Sequence, residues 1–234
     1  MIKNKKIIIA LIPARGGSKG VHRKNMREVN GHPLIYYTLQ AAINSKYIDD
    51  IYLSSDDEST CAYGKKMGIN VINRPKEYSS DMASANSVVK HFLSILPKTL
   101  REQNPFIVYL QPTSPLRTSK HIDNGFENMF QKNFMKLISV VEATKSPFKS
   151  FVVNKQGHLK TLFDEKMTNK RRQDLPSTYY PNGAIYVFQM SEFNKKEAFP
   201  SNGSYPYIML QKDSIDIDIE EDFEILSNRL KSTT

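Results

Sequence analysis

A run of apolar, mostly β-branched residues near the start of the chain is followed directly by a basic, glycine-rich segment. The run is Ile7–Ile12, and the segment Pro13–Asn25 reads PARGGSKGVHRKN. The apolar run predicts a strand that is buried on both faces, as in a parallel sheet. Ligands of open α/β sheets bind beyond the carboxyl ends of the strands, where this segment lies. The apolar run and the glycine-rich segment together therefore favour an α/β fold that holds a ligand at residues 13–25.

Strands and helices are predicted to alternate over more than half of the chain. Apolar runs and helical periodicity predict helix 33–43, strand 50–54, helix 57–67, strand 69–72, helix 84–96, strand 106–110, helix 119–130 and strand 136–141. We expect Asp56 to cap the helix that begins at residue 57. Such alternation is typical of βαβ units. We therefore predict an α/β fold with a mainly parallel central sheet, in a single domain that spans residues 1–234.

The pattern changes after residue 141. A hairpin is predicted at 151–163 around Gly157, followed by strands at 184–188 and 215–219 and a closing helix at 220–230. Residues 142–178, called the excursion below, do not continue the alternation of strands and helices. We interpret the excursion as a departure from the core that forms a dimer contact and covers a substrate.

Composition and charge exclude several classes of protein. Hydrophobic residues make up 39% of the chain and charged residues 24%, which is typical of a globular protein and not of a disordered one. The run at 7–12 is shorter than the core of a secretory signal, and no run approaches the length of a membrane span. Cys61 is the only cysteine, so an intramolecular disulfide is excluded and a cytoplasmic location is expected. The net charge of +9 comes from dispersed residues, which favours a small anionic ligand over nucleic acid.

The glycine-rich segment has the chemistry of a phosphate-binding loop. Its three glycines allow close approach of the backbone to a ligand, and exposed N–H groups in such a loop form a cradle for an anion. Arg15, Lys19, Arg23 and Lys24 supply positive charge for a triphosphate. The spacing fits neither the P-loop pattern GxxxxGK[ST] nor the dinucleotide pattern GxGxxG. The alternative is a merely solvated, flexible turn, which the density of glycines and cations disfavours.

Acidic residues cluster near the end of the chain, in the segment Asp213–Asp222 (DSIDIDIEED). If residues 215–219 form a strand, Asp216 and Asp218 share a face. Two carboxylates on one face can hold Mg²⁺, which prefers oxygen ligands and bridges to substrate phosphates. Alternatively, Asp218 and Glu221 form a pair that caps the following helix. The spacing alone leaves these two interpretations equally open.

The segment PARGGSKGVHRKN closely resembles the signature of the cytidylyltransferases that activate nine-carbon keto sugars, namely the CMP-sialic acid synthetases and their legionaminic acid relatives. The resemblance implies a Rossmann-like nucleotidyltransferase fold. It also implies that the loop grips the triphosphate of CTP through five residues: Arg15, Ser18, Lys19, Lys24 and Asn25. Many members have proline where this chain has His22, so His22 receives no role.

Other parts of the chain carry the same resemblance. Arg74-Pro75 and the nearby SSDMAS (Ser79–Ser84) are similar to the family's cytosine-binding segment, which assigns Arg74 and Ser84 to CTP. Alternatively, Ser80 or Asp81 only caps the helix that follows. The resemblance of LQPTSPLR (residues 110–117) implies that Gln111 binds hydroxyls of the sugar or ribose.

Residues 146–187 resemble the part of the family that surrounds the reacting sugar. The resemblance implies sugar binding by Lys149, Tyr180 and Asn182, and it places Arg172 close to the reaction centre. Some bacterial relatives have an arginine where this chain has Tyr180. Finally, the acidic segment is similar to the family's metal-binding segment, which implies that Asp216 and Asp218 bind Mg²⁺.

The resemblance implies transfer of CMP from CTP to the anomeric 2-hydroxyl of an acidic nine-carbon sugar, with release of pyrophosphate. N-acetylneuraminate is the favoured acceptor, and legionaminic acid or another nonulosonic acid is the alternative. Arg15, Lys24, Arg172, Asp216 and Asp218 are then the catalytic residues, Mg²⁺ is the cofactor, and the expected assembly is a cytoplasmic homodimer. Two readings of a different class stay open, a non-catalytic nucleotide-binding regulator and, more remotely, an RNA-binding module.

Overall fold

The structure of the chain, a computed structural model, describes residues 6–17, 20–80 and 83–232. Its strands are β1 (Ile8–Pro13), β2 (Glu28–Val29), β3 (His32–Pro33), β4 (Asp50–Ser55), β5 (Asn70–Asn73), β6 (Phe106–Tyr109), β7 (Lys136–Glu142), β8 (Phe151–Val153), β9 (Leu159–Thr161), β10 (Tyr179–Gln189) and β11 (Tyr205–Ile208). Its α-helices are α1 (Leu34–Ile43), α2 (Glu58–Lys66), α3 (Ala85–Ile95), α4 (Lys98–Arg101), α5 (Ser119–Gln131), α6 (Glu165–Thr168), α7 (Met190–Lys196) and α8 (Glu220–Lys231).

A seven-stranded sheet forms the centre of the molecule, in the order β11-β7-β10-β6-β1-β4-β5. Strand β1 pairs in parallel with both β4 and β6, and β4 pairs in parallel with β5. Strand β10 is antiparallel to its two neighbours, β6 and β7, so it alone runs against the other strands of this sheet. The predicted α/β fold with a mainly parallel central sheet is confirmed.

Helices cover both faces of the sheet because the central strands are apolar on both sides. In β1, Ile8, Ala10 and Ile12 face a core shared with α1 and α5, while Ile9 and Leu11 face a second core shared with α3 and α7. All five side chains are buried. This two-sided burial is what the continuous apolar run predicts for a strand inside a parallel sheet.

A third, smaller core holds the two ends of the chain together. Val21 from the glycine-rich loop and Leu34 from α1 pack with Ile217, Phe223 and other apolar residues from the C-terminal part. Ile217 is fully buried there. The acidic segment is thereby fixed against the loop that follows β1, although about 190 residues separate them in sequence.

Two local expectations are corrected, and one strand was not predicted. Residues 215–219 do not form a strand, since residues 214–219 have no regular secondary structure. Asp57, and not Asp56, caps α2, because its carboxylate accepts a hydrogen bond from the backbone N–H of Thr60 at 2.7 Å. The sequence also gave no sign of β11, which pairs in parallel with β7 at the edge of the sheet.

The excursion contains a two-stranded antiparallel sheet, β8 with β9, that is separate from the central sheet. Apolar side chains on this hairpin are largely exposed: Val153 and Leu159 are each 69% accessible. The role of the excursion in dimerisation stays a prediction. Among the described residues, no helix is long and apolar enough to cross a membrane.

Candidate active site

A cavity of about 360 Å³ opens beside the carboxyl ends of β1 and β6. Its walls come from the glycine-rich loop, the segment before α3, the turn after β6 and the acidic segment. Seven residues that the sequence analysis selected line it: Arg15, Lys24, Asn25, Arg74, Gln111, Asp216 and Asp218. The structure therefore brings the cationic loop and the paired carboxylates to one place, as expected at this edge of an open α/β sheet.

Lys24 joins the loop to the acidic segment. Its side chain is nearly buried, and Nζ donates to the backbone oxygen of Ile217 at 2.5 Å and to Oδ1 of Asp218 at 3.1 Å. Gly20 lies so close to the acidic segment that a Cβ there would overlap the backbone oxygen of Asp218. The site thus has a positive side and a negative side in direct contact.

Asp216 is oriented by the turn after β6. The side chain of Thr113 is a hydrogen-bond partner of its carboxylate, and the backbone N–H of Ile217 donates to the oxygen of Thr113 at 2.8 Å. Although Asp216 reaches solvent through the cavity mouth, the protein atoms around it desolvate the carboxyl and raise its pKa. The bond from Thr113 opposes this shift, and the nearby charge of Asp218 adds to it.

The donor set of the cavity fits a hard divalent cation that is shared with a phosphate ligand. Asp216 and Asp218 both face the cavity. Within the described part of the chain, no group of three or more His, Cys, Asp or Glu side chains is arranged to hold a metal. Mg²⁺ is usually bound through one or two carboxylates, with the remaining positions filled by phosphate oxygens and water. Two carboxylates beside a phosphate-binding loop meet that requirement.

The glycine-rich loop is held by its own polar residues. The Asn25 side chain donates to the backbone oxygen of Arg15 at 2.9 Å, and a guanidinium nitrogen of Arg15 lies 3.4 Å from the oxygen of Ser80. The N–H of Gly16 donates to the Asp56 carboxylate at 2.9 Å, so an anionic oxygen already occupies one loop amide. Ser18 and Lys19, which the sequence analysis assigned to CTP, lie outside the described residues.

Arg74 lines the opposite end of the cavity. Its guanidinium donates to the Ser54 hydroxyl at 3.1 Å and to the backbone oxygens of Ser54 and Tyr78. Burial lowers the pKa of Arg74, yet an arginine stays charged near neutral pH. The Tyr78 ring stacks on His91 with 4.8 Å between ring centroids. These contacts hold Arg74 and Tyr78 in place in the wall of the cavity.

Ser84 has a structural role in addition to any contact with a ligand. Its hydroxyl accepts a hydrogen bond from the backbone N–H of Ser87 at 3.1 Å and so caps α3. Ser80, one of the two residues weighed as a cap, lines the cavity instead, and Asp81, the other, lies outside the described residues.

Four predicted sugar-binding or catalytic residues do not line the cavity. Lys149, Arg172 and Tyr180 are exposed on or next to the excursion. Asn182 is buried beneath the cavity and makes all of its described contacts with protein atoms. No residue of the excursion lines the cavity of this single chain, among the described residues.

Sequence reasoning missed three residues that shape the cavity: Thr113, Tyr78 and Tyr109. Tyr109 was part of an apolar run and was counted as core. It is indeed buried, and that burial raises its pKa well above the usual tyrosine value. Only its position at the end of a strand could have marked it as a lining residue.

The fold and the site together define a nucleotide-binding α/β protein with a cationic loop and a carboxylate pair at one sheet edge. Comparison with known proteins makes this class specific. The model of the cytidylyltransferase family matches residues 9–224, and this chain belongs to that family. The family resemblance seen in the sequence and the assignment to nucleotidyltransferases are thereby confirmed.

Two relatives illustrate the range of the family. The N-acylneuraminate cytidylyltransferase of Streptococcus agalactiae serotype V is 36% identical over 219 residues, which cover 92% of this chain and 51% of that protein. This chain thus spans about half the length of the first curated relatives that it matches. The pseudaminic acid cytidylyltransferase of Campylobacter jejuni serotype O:2 is 30% identical over 217 residues, covering 92% of this chain and 93% of that protein.

Solved structures show the same fold at low sequence identity. A CMP:2-keto-3-deoxy-manno-octonic acid synthetase complexed with CTP superposes with a TM-score of 0.68 at 13% identity, over 98% of this chain and 100% of that one. The 4-diphosphocytidyl-2C-methyl-D-erythritol synthase of Anaerococcus prevotii gives a TM-score of 0.65 at 15% identity, over 97% and 100%. The Rossmann-like nucleotidyltransferase fold is therefore confirmed.

Proposed function

We propose that this protein transfers CMP from CTP to the anomeric 2-hydroxyl of an acidic nine-carbon keto sugar and releases pyrophosphate. One observation carries the proposal: Lys24 of the glycine-rich loop contacts Asp218 of the acidic segment inside a single cavity. Nucleotidyl transfer needs cations on the leaving phosphates and a metal site beside them. Both requirements meet here, in a chain of the cytidylyltransferase family.

The loop residues act on the leaving pyrophosphate. Arg15 and Lys24 line the cavity, and Ser18, Lys19 and Asn25 belong to the same loop. The charges of Arg15, Lys19 and Lys24 neutralise the pyrophosphate as it separates from the α-phosphate, and Ser18 and Asn25 can contribute only hydrogen bonds. Because Lys24 is nearly buried, its charge is screened less than that of a surface lysine. Positioning and electrostatic stabilisation then provide most of the rate enhancement.

Asp216 and Asp218 hold Mg²⁺ in this proposal. The bound metal supplies positive charge that neutralises phosphate oxygens of CTP. Thr113 and Lys24 fix the two carboxylates from opposite sides, through the hydrogen bond to Asp216 and the ion pair to Asp218. CTP would supply the ligands that Asp216 and Asp218 do not, so metal and nucleotide should bind together.

The base and the sugar occupy opposite ends of the site. Arg74 receives the cytosine, and Gln111 faces the sugar or the ribose; both line the cavity, whereas Ser84 lies between the lining residues Ala83 and Ala85 but does not line it itself. Arg172, Lys149 and Tyr180 lie away from this chain's cavity and are exposed. We infer that they reach the cavity of a second copy in a homodimer formed through the excursion. The exposed apolar side chains of Val153 and Leu159 support that inference.

The acceptor is proposed as a nonulosonic acid, with N-acetylneuraminate first. The 36% identity to an N-acylneuraminate cytidylyltransferase favours it. The match to a pseudaminic acid cytidylyltransferase over 93% of that protein's length makes pseudaminic acid the second candidate, and legionaminic acid stays in the panel. A CMP-sugar of this kind would supply the cytoplasmic stage of surface polysaccharide synthesis.

Pyrophosphate release tests the proposal directly. CTP and Mg²⁺ are supplied with N-acetylneuraminic, diacetyllegionaminic, pseudaminic or an eight-carbon keto sugar acid, and with no sugar as the control. We expect strong release with one nine-carbon acid, and Asp216→Ala should abolish it while circular dichroism shows an intact fold. A folded protein that binds CTP but releases no pyrophosphate with any acid would favour the non-catalytic regulator. RNA binding that weakens steeply with salt, without dependence on CTP, would favour the RNA-binding module.

A further inference from the structure

Asn182 is a buried polar residue that uses its whole hydrogen-bonding capacity inside the protein. It is 6% accessible and lies in β10, where the pairing with β7 shifts register. Its Oδ1 accepts from the Ser139 hydroxyl at 2.6 Å and from the N–H of Ala184 at 3.2 Å. Its Nδ2 donates to the Ser214 hydroxyl at 2.9 Å and to Sδ of Met209 at 3.2 Å. An asparagine amide offers two donor hydrogens and two acceptor lone pairs, and all four are used.

The partners of Asn182 come from different parts of the sheet and from the acidic segment. Ser139 belongs to β7, and its hydroxyl also accepts a hydrogen bond from the backbone N–H of Ile185 at 2.7 Å. This second bond fixes Ser139 against β10. Ser214 lies two residues before Asp216, and its hydroxyl donates in turn to the oxygen of Leu210 at 2.8 Å. Asn182 therefore connects the rigid sheet to the segment that carries the carboxylates.

That connection matters because the acidic segment forms no strand and therefore has no ladder of backbone hydrogen bonds to a neighbouring strand. Residues 214–218 are irregular. Besides the side-chain bond from Asn182 to Ser214, the segment is anchored at Ile217, whose N–H donates to Thr113 and whose oxygen accepts from Lys24, and at Asp218, whose N–H donates to Asp222 at 2.8 Å. On the N-terminal side of Asp216, Ser214 also bonds to Gln211 and Leu210, but those bonds are local, whereas the bond from Asn182 links Ser214 to the central sheet.

We propose that Asn182 is a positioning residue: it holds Asp216 in the geometry for metal binding by fixing Ser214, and it does not bind the sugar itself. This inference rests on the proposed function, since it assigns Asp216 to the metal. The buried amide cannot reach a sugar without giving up a bond to protein, and a buried polar group that loses its partner is destabilised.

Ser214→Ala is the sharpest test, because it cuts the connection and leaves Asn182 in place. Ser204→Ala is the matched control: its hydroxyl also donates to a nearby backbone oxygen, that of Ser201, on a loop outside the cavity. Two quantities are measured for each variant. One is the Mg²⁺ concentration that gives half-maximal pyrophosphate release at saturating CTP and sugar. The other is the affinity for Mn²⁺ in the presence of CTP, followed by electron paramagnetic resonance without turnover.

We expect Ser214→Ala to weaken the binding of Mg²⁺ and of Mn²⁺ about fivefold, which is the equivalent of one net hydrogen bond. The KM for the sugar and the rate at saturating Mg²⁺ should stay within about twofold. Ser204→Ala should match the parent protein. Unchanged metal affinity in Ser214→Ala overturns the proposal, as does a raised sugar KM with unchanged metal affinity. If the parent releases no pyrophosphate with any sugar, the proposed function fails, while the Mn²⁺ measurement still decides whether Ser214 and Asn182 position the carboxylates.

Discussion

Replacing Gly183 by alanine should damage the active site through a contact that can be measured in the structure. Gly183 has φ of +76°, a left-handed conformation that costs other residues roughly 1–2 kcal/mol. A Cβ at this position would lie 2.6 Å from Oε1 of Gln111 and 3.2 Å from the hydroxyl of Ser114. Ordinary contact begins at 3.4 Å, so the Gln111 amide must move by about 0.8 Å. A misplacement of about 1 Å at a substrate-positioning group can cost up to about 100-fold in rate.

The variant Gly68→Ala separates the cost of the left-handed conformation from the cost of the steric contact. Gly68 has φ of +74°, nearly the same as Gly183, and a Cβ there would meet no atom within 4 Å. Both variants should lose about 1–2 kcal/mol in the free energy of unfolding, measured in urea. Only Gly183→Ala should lower kcat/KM for the sugar, by about 10- to 100-fold in the pyrophosphate assay. Equal kcat/KM in the two variants would refute both the steric reasoning and the assignment of Gln111 to the substrate.

Three further predictions concern stability and assembly. Asp57→Ala should lower the free energy of unfolding by about 1–2 kcal/mol because the cap of α2 is lost, whereas Asp57→Asn should retain most of it; urea denaturation compares them. Burial holds the pKa of His121 below its usual value, the charge of Asp213 opposes this shift, and Arg117 adds to it. As the pH falls through about 6.5, His121 takes up a proton in the unfolded chain before it does so in the folded protein, so the free energy of unfolding decreases. His121→Gln should therefore lose less stability between pH 7.5 and pH 5 than the parent protein. Leu159→Asp should turn a dimer into a monomer in light scattering, while the same change at exposed Ile225 on α8 should not.

The sequence predicts the central sheet well because its strands are simple. Strand β1 is apolar on both faces, and its partner β6 carries a similar, fully buried apolar run, so the sequence pattern and the burial agree. Strand β11 (Tyr205–Ile208) escaped detection because it is short and contains Pro206. A proline is tolerated there since β11 pairs only with β7 and lies at the sheet edge. The other edge strand, β5, contains no proline and was predicted.

The prediction of a strand at 215–219 failed for a different reason. The alternation of Asp216 and Asp218 with isoleucines has the period of a strand, and Ile217 is indeed buried while the aspartates face the cavity. Burial of alternate side chains does not require a neighbouring strand. Here the third core buries Ile217, and one backbone bond to Thr113 takes the place of a ladder. The pattern correctly predicted that Ile217 is buried and that Asp216 and Asp218 face the cavity, but it predicted neither the exposure of Ile219 nor the absence of a strand.

Seven of the residues that line the cavity could be found in the sequence, but not the partners that hold them. Lys24 and Asp218 are 194 positions apart, and local spacing carries no information on such a pair. Asn182 was assigned to the sugar because it lies in a motif near the reacting sugar in the family. Its burial and its bonds to Ser139 and Ser214 are properties of the tertiary structure, which periodicity does not report.

The structure also separates the two interpretations of the acidic segment. One assigned Asp218 to a metal, and the other used it with Glu221 to cap the last helix. The carboxylate of Asp222 accepts hydrogen bonds from the N–H groups of Asp218 and Ile219, at 2.8 and 2.9 Å, and so satisfies donors at the start of α8. Because Asp222 occupies these donors, the side chain of Asp218 is available to the cavity, where it meets Lys24. Asp222 thus takes the capping role, and the carboxylate of Asp218 is available for the metal role proposed above, while the acidity of the first turn favours the helix dipole.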